Sequence, residues 1–145
     1  MSAFLIGTVI CGALILTCVA LFYEIMAHTW VVLPRLGGKR RQILFTVSVL
    51  FVGHTAAVWL FGIADYVLDK HFQFGSLIGG TLDFLDYIYF SGVTYSSLGF
   101  GNIDATGGLR LLAVVESVLG LILIGWTVTF TYLVTHEYLM HRRRA

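Results

Sequence analysis

"TYSSLGFGNI", residues 94–103, interrupts an otherwise apolar chain. Hydroxyls come first, then two glycines, Gly99 and Gly101, flanking one aromatic, Phe100, and then an amide, Asn102. Of 145 residues, 58% are hydrophobic and 12% are charged, against a charged fraction of about 25% in an ordinary soluble domain. A chain this short has too little volume to hide so much apolar surface from water. Lipid is the expected solvent, and the polar decapeptide has to be reconciled with it.

Three long apolar segments surround the decapeptide. "FLIGTVICGALILTCVALFYEIM" (4–26), "ILFTVSVLFVGHTAAVWLFGIADYVL" (43–68) and "LRLLAVVESVLGLILIGWTVTFTYLV" (109–134) each exceed the roughly 20 residues that cross a hydrocarbon core. A signal peptide would carry a positive stretch before its apolar run, and no Lys or Arg precedes Arg35. Residues 28–42 form a basic loop with Arg35, Lys39, Arg40 and Arg41, and the chain ends "HRRRA". Basic residues mark the cytoplasmic side. With both clusters inside, three spans run from an outer N-terminus to a cytoplasmic C-terminus. Residues 69–108 then lie outside or dip in from outside. Asp65, Asp69, Asp83, Asp86 and Asp104 lie in or beside that region. About ten residues follow the third span, so no soluble ligand domain is expected.

The run "TLDFLDYIYFSGVTYSS" (81–97) is too short to span. Irregular backbone is tolerated at membrane depth only where protein buries it or it lines a water-filled cavity. Residues 81–101 therefore read as a re-entrant hairpin, a half-length helix followed by an extended return. Thr81 is the expected N-cap, with Asp83 and Asp86 in the first turns, where a helix favours negative charge. Stripping water from a cation requires consecutive carbonyls to face one axis. A regular strand alternates them, so some residues must take unusual dihedrals, and glycine enters φ > 0 at little cost.

"TYSSLGFGN" resembles the T-V-G-Y-G sequence of the tetrameric potassium channels. Ser97 stands for the Thr, Leu98 for the Val, Gly99 for the first Gly, Phe100 for the Tyr and Gly101 for the second Gly. Upstream, Tyr89 and Phe90 occupy the place of the family's aromatic pair. Downstream, "RLLAVVESVLG" resembles the start of its inner helix, with Gly120 where many members have a hinge glycine. The resemblance covers about residues 43–135, and residues 1–27 form an extra N-terminal helix. It implies an outer helix at 43–68, a pore helix at 81–96, a selectivity filter at 97–101, an inner helix at 109–135 and a short cytoplasmic tail at 136–145.

The resemblance also assigns roles. The carbonyls of Ser97, Leu98, Gly99 and Phe100 bind K⁺, with Gly101, Asn102 and Tyr89 as filter support and Glu116 and Gly120 as cavity or gating candidates. Three departures bear on selectivity. Serine for threonine loses a methyl, phenylalanine for tyrosine loses a bracing hydroxyl, and Asn102 for aspartate removes four charges from a tetrameric mouth.

The fold class expected is an all-α membrane protein: three transmembrane helices, a re-entrant pore helix and a filter loop, assembled as a homotetramer in membrane lipid. Its location is the plasma (inner) membrane. The function expected is passive K⁺ conduction, with K⁺ as permeant ion and no cofactor or nucleic-acid partner. A non-selective Na⁺/K⁺ channel is the alternative, and a non-conducting membrane assembly protein a further one. Enzyme chemistry is not expected, since no nucleophile, base or metal set clusters.

Other residues have bland readings beside functional ones. Glu116 either faces the pore or hydrogen-bonds behind the pore helix, to Ser117 or to a neighbour's Thr94. His54 reads as a hydrogen-bonded packing residue, Glu24 as the partner of the basic cluster, and Cys11 and Cys18 as packing residues. "HEYLMH" (136–141) is no zinc motif, because His136 and His141 are five apart and do not share a helical face.

Overall fold

The computed structural model describes residues 2–99 and 101–142. Phe100, one of the expected filter positions, and Arg143 and Arg144 of the basic tail lie outside the described residues. The elements are α1 (Ser2–Val32), α2 (Lys39–Lys70), β1 (Leu77–Ile78), α3 (Phe84–Tyr95), β2 (Asp104–Ala105) and α4 (Leu109–Arg142). Three helical stretches, Gly7–Arg35, Lys39–Lys70 and Leu109–His136, are long and apolar enough to cross a membrane. The protein is an integral membrane protein built almost wholly of helix, with a short fourth helix that does not span.

The turn between α1 and α2 is tighter than hydropathy suggests. A 3₁₀ turn, Leu33–Arg35, holds Pro34 in its first positions, where the missing N–H costs nothing. Lys39, Arg40 and Arg41, read from sequence as loop, form the first turn of α2. These residues are good helix formers, and the Gln42 side chain stitches the turn by donating to Leu33 O at 2.8 Å and Leu36 O at 3.2 Å. At the other end of the chain, α4 continues to Arg142, beyond the end at 135 expected from sequence. Polar composition ends an apolar span, but it does not end a hydrogen-bonded helix.

Helix α1 lies against α2 and α4. Its buried stripe, Cys11, Cys18, Phe22, Met26 and Thr29, repeats at helical spacing. Phe22 packs on the His54 ring at 4.8 Å between centroids, and Trp30 meets Phe130 of α4 at 6.0 Å. Both cysteines are free and buried, as packing residues are. Glu24 pairs with His28 one turn along its own helix, at 3.5 Å.

The segment between α2 and α4 is closed by a small clasp. β1 and β2 pair antiparallel, Leu77 with Ala105 and Ile78 with Asp104. Beside them Thr106 N donates to Ser76 O and Gly108 N to Phe74 O, each at 2.8 Å. The Phe74 ring occupies the space a side chain would need at Gly7 of α1 and at Gly108. The N-terminal part of α1 therefore lies at the same end of the bundle as the clasp and the start of α3. The basic turn between α1 and α2 and the C-terminal part of α4 lie at the other end.

Candidate functional site

The site begins with a helix anchored at both ends. Asp83, rather than Thr81, is the N-cap of α3. Its Oδ1 accepts from Leu85 N at 2.9 Å and Asp86 N at 3.1 Å, while Asp83 N donates to Asp86 Oδ2 at 2.7 Å. This is a reciprocal capping box. Threonine and aspartate both cap helices, so residue type alone does not choose between them. The signal that decides is an acidic side chain three residues on, which Asp83 has and Thr81 lacks.

Helix α3 ends in a Schellman motif. Leu98 N donates to Val93 O at 3.2 Å and Ser97 N to Thr94 O at 3.0 Å, the paired bonds that define the motif. Ser97 occupies the left-handed position with φ +56°. Glycine is usual there, which is why the sequence hides this cap. The serine turns the chain sharply out of the helix. Gly99 and Gly101 follow with φ +66° and +152°, a region L-residues enter only at a cost. Ser97, Leu98 and Gly99 are exposed, Leu98 to 61%. A methyl group on Gly99 would meet nothing within 4 Å among the described residues beyond its chain neighbours. Tyr89 stands beside Gly101, with its ring 3.6 Å from where a Cβ would lie. The Asn102 carbonyl faces Gly79 across the clasp.

The back of α3 is fixed to the spanning helices by side chains. Ser91 is fully buried. Its hydroxyl lies 2.8 Å from Val58 O of α2 and also bonds Glu116 Oε1 of α4. Glu116 is itself fully buried, on the side of α4 that faces α3, an arrangement that braces the helix from behind. Ser117 Oγ donates to Thr94 O at 3.0 Å.

Further along, Tyr95, His54 and Thr127 form a chain across three helices. Tyr95 Oη lies 2.7 Å from His54 Nδ1, and His54 Nε2 lies 3.2 Å from Thr127 Oγ1. Thr127 gives its own proton to Ile124 O at 2.9 Å. His54 must then donate from Nε2 and accept at Nδ1 from Tyr95, so the neutral imidazole satisfies every partner.

Gly120 sits where α4 crosses the end of α3. A Cβ there would overlap the Tyr95 carbonyl, so close packing alone requires glycine. At the outer end of α3 the Tyr87 hydroxyl donates to Asp69 Oδ2, and the Lys70 ammonium lies 5.6 Å from the Tyr87 ring. Burial, and then the bond to Asp69, push the Tyr87 phenol above its ordinary range.

In front of α3 the surface is open. A groove of about 850 Å³ is lined by Val93, Thr94, Ser97, Gly99, Gly101 and residues of α4 such as Ser117. Every expected filter position within the described residues except Leu98 borders it. The face of α4 that carries Val114, Val118, Leu121 and Ile122 is exposed beside the same groove. Sequence reasoning missed Ser91, Tyr95 and Thr127, whose partners lie 25, 41 and 73 residues away. No local pattern announces such pairs.

A family model described as an ion channel matches residues 45–135, from early in α2 to the last turns of α4. No curated protein and no solved structure matched the chain.

Proposed function

Because the chain belongs to the ion channel family through residues 45–135, we propose that it is one subunit of a homotetrameric potassium-selective channel. One observation carries this reading. A 12-residue helix, anchored behind at four points along its length, ends at the edge of an open groove, where Ser97, Gly99 and Gly101 take positive φ. The carbonyls of Ser97, Leu98, Gly99 and Phe100 replace the water around K⁺ as ions pass in single file. Gly101, Asn102 and Tyr89 support that strand from outside.

One chain supplies one wall of such a path. Three further copies complete it, each covering the groove of its neighbour, and the exposed apolar face of α4 lines the cavity below. Helix α1 packs outside α2. The basic turn at Arg35–Arg41 and the C-terminal part of α4 share one end of the bundle. The positive-inside tendency puts that end in the cytoplasm and the N-terminus outside, in the plasma (inner) membrane. No cofactor is needed, since the work is done by fixed carbonyl dipoles.

The test is the reversal potential of the purified protein in a planar bilayer with K⁺ on one side and Na⁺ on the other. The reading expects a potential displaced strongly toward that of K⁺. A value near zero indicates a non-selective cation channel, which the lost threonine methyl at Ser97 and the missing carboxylate at Asn102 favour. No current at all indicates a non-conducting assembly protein.

A further inference from the structure

We propose that Glu116 works as a carboxylic acid, and that its proton positions the pore helix by way of Ser91. The Ser91 hydroxyl owns one hydrogen. It lies within hydrogen-bond distance of two oxygens, Val58 O on α2 and Glu116 Oε1 on α4. An ionised Glu116 takes that hydrogen and leaves Ser91 Oγ facing Val58 O at 2.8 Å with no proton between two lone pairs. A protonated Glu116 donates to Ser91 Oγ, and Ser91 donates to Val58 O. Each contact then contains one hydrogen, and the relay ties α4 to α3 to α2.

A second observation agrees. Glu116 Oε2 has no hydrogen-bond partner among the described residues. An unpartnered carbonyl oxygen of a neutral acid is far less costly in a buried place than an unpartnered charged oxygen.

Beyond the Ser91 hydroxyl, no positive charge among the described residues answers an ionised Glu116. Among the described residues, the titratable groups that act on it or feel it are Cys18 of α1, Asp65 of α2 and Tyr95 of α3. All are acids, so none offers a compensating positive charge. Asp65 is buried too, with neither oxygen partnered among the described residues, and it lies within electrostatic reach of Asp69 and Cys11. His54, the base nearest in the network, is occupied by Tyr95 and Thr127.

Glu116 is on this account a positioning residue: it touches no ion, and it holds the helix whose last turn sets Ser97 and the strand beyond it. The proposal rests on the channel reading. It implies that conduction fails at alkaline pH, when the proton leaves.

The test uses the full-length protein in liposomes and two variants. Wild-type K⁺ flux should be steady at neutral pH, and once the acid titrates it should fall about tenfold per pH unit. Glu116→Gln keeps an N–H donor for Ser91 and should conduct at neutral pH without that alkaline loss. Glu116→Ala removes the donor and should conduct poorly throughout. Identical pH profiles for wild type and Glu116→Gln would overturn the proposal.

A second readout does not depend on conduction. The infrared difference spectrum between wild type and Glu116→Gln at neutral pH should contain the carbonyl band of a protonated carboxylic acid. Its absence, with carboxylate bands in its place, overturns the proposal even if the channel conducts. Its presence in a protein that never conducts leaves the proton in place and removes the channel reading instead.

Discussion

The back and the front of α3 are built in opposite ways. Behind it, Ser91, Tyr95, Thr94 and Tyr87 reach partners on α2 and α4 of the same chain. In front, Ser97, Leu98 and Gly99 lie exposed beside a groove of about 850 Å³. The side behind is bonded within one chain, and the glycine-rich side lies open on that chain's surface. The bonds behind hold the helix end that carries Ser97, the one non-glycine residue with positive φ among the described residues of this segment. Strained backbone persists only where the surroundings over-determine it.

Mutations on the two sides should therefore fail differently. The largest effect belongs to the front. Gly99→Ala places a methyl group that meets none of the described residues beyond its chain neighbours, at a φ that costs an L-residue about 1–2 kcal/mol. The bundle should survive that cost, and conduction should not.

Next comes the crossing point. Gly120→Ala drives a methyl into the Tyr95 carbonyl, a contact with backbone that cannot turn aside. Such overpacking costs about 1–3 kcal/mol, and it should appear as a lower melting temperature in detergent together with reduced K⁺ flux. A Gly120→Ala protein of unchanged stability would break the argument that packing dictates this glycine.

The smallest effect lies at the far end of α3. Asp83→Ala removes the capping box and should cost about 1 kcal/mol by thermal unfolding. Flux at room temperature should be nearly intact, because the anchors behind the helix remain. If Thr81→Ala costs more than Asp83→Ala, the cap has been assigned to the wrong residue.

Much of the fold was legible because it is written in long runs. Three apolar segments above span length, one segment below it and two basic clusters suffice for the order of elements. The glycines at 99 and 101 announced unusual dihedrals, since no other residue enters them as cheaply. Pairwise detail was not legible. Glu116 had two open readings from sequence because its choice depends on Ser91, a residue 25 positions away. The Schellman cap was hidden because Ser97 stands where glycine usually does. Gly120 drew notice as a bending point, whereas its neighbour in space, the Tyr95 carbonyl, explains it by contact. The ends of α2 and α4 escaped a hydropathy reading because they carry polar residues that continue a helix as readily as apolar ones do.

The measurement that bears most directly on the central claim is K⁺ flux from liposomes holding wild type or Gly99→Ala, with circular dichroism on the same samples. The account predicts equal helix content in the two proteins, K⁺ flux through wild type, and none above empty liposomes through Gly99→Ala. K⁺ flux through Gly99→Ala equal to wild type would mean that residues 97–101 are not where the ion passes.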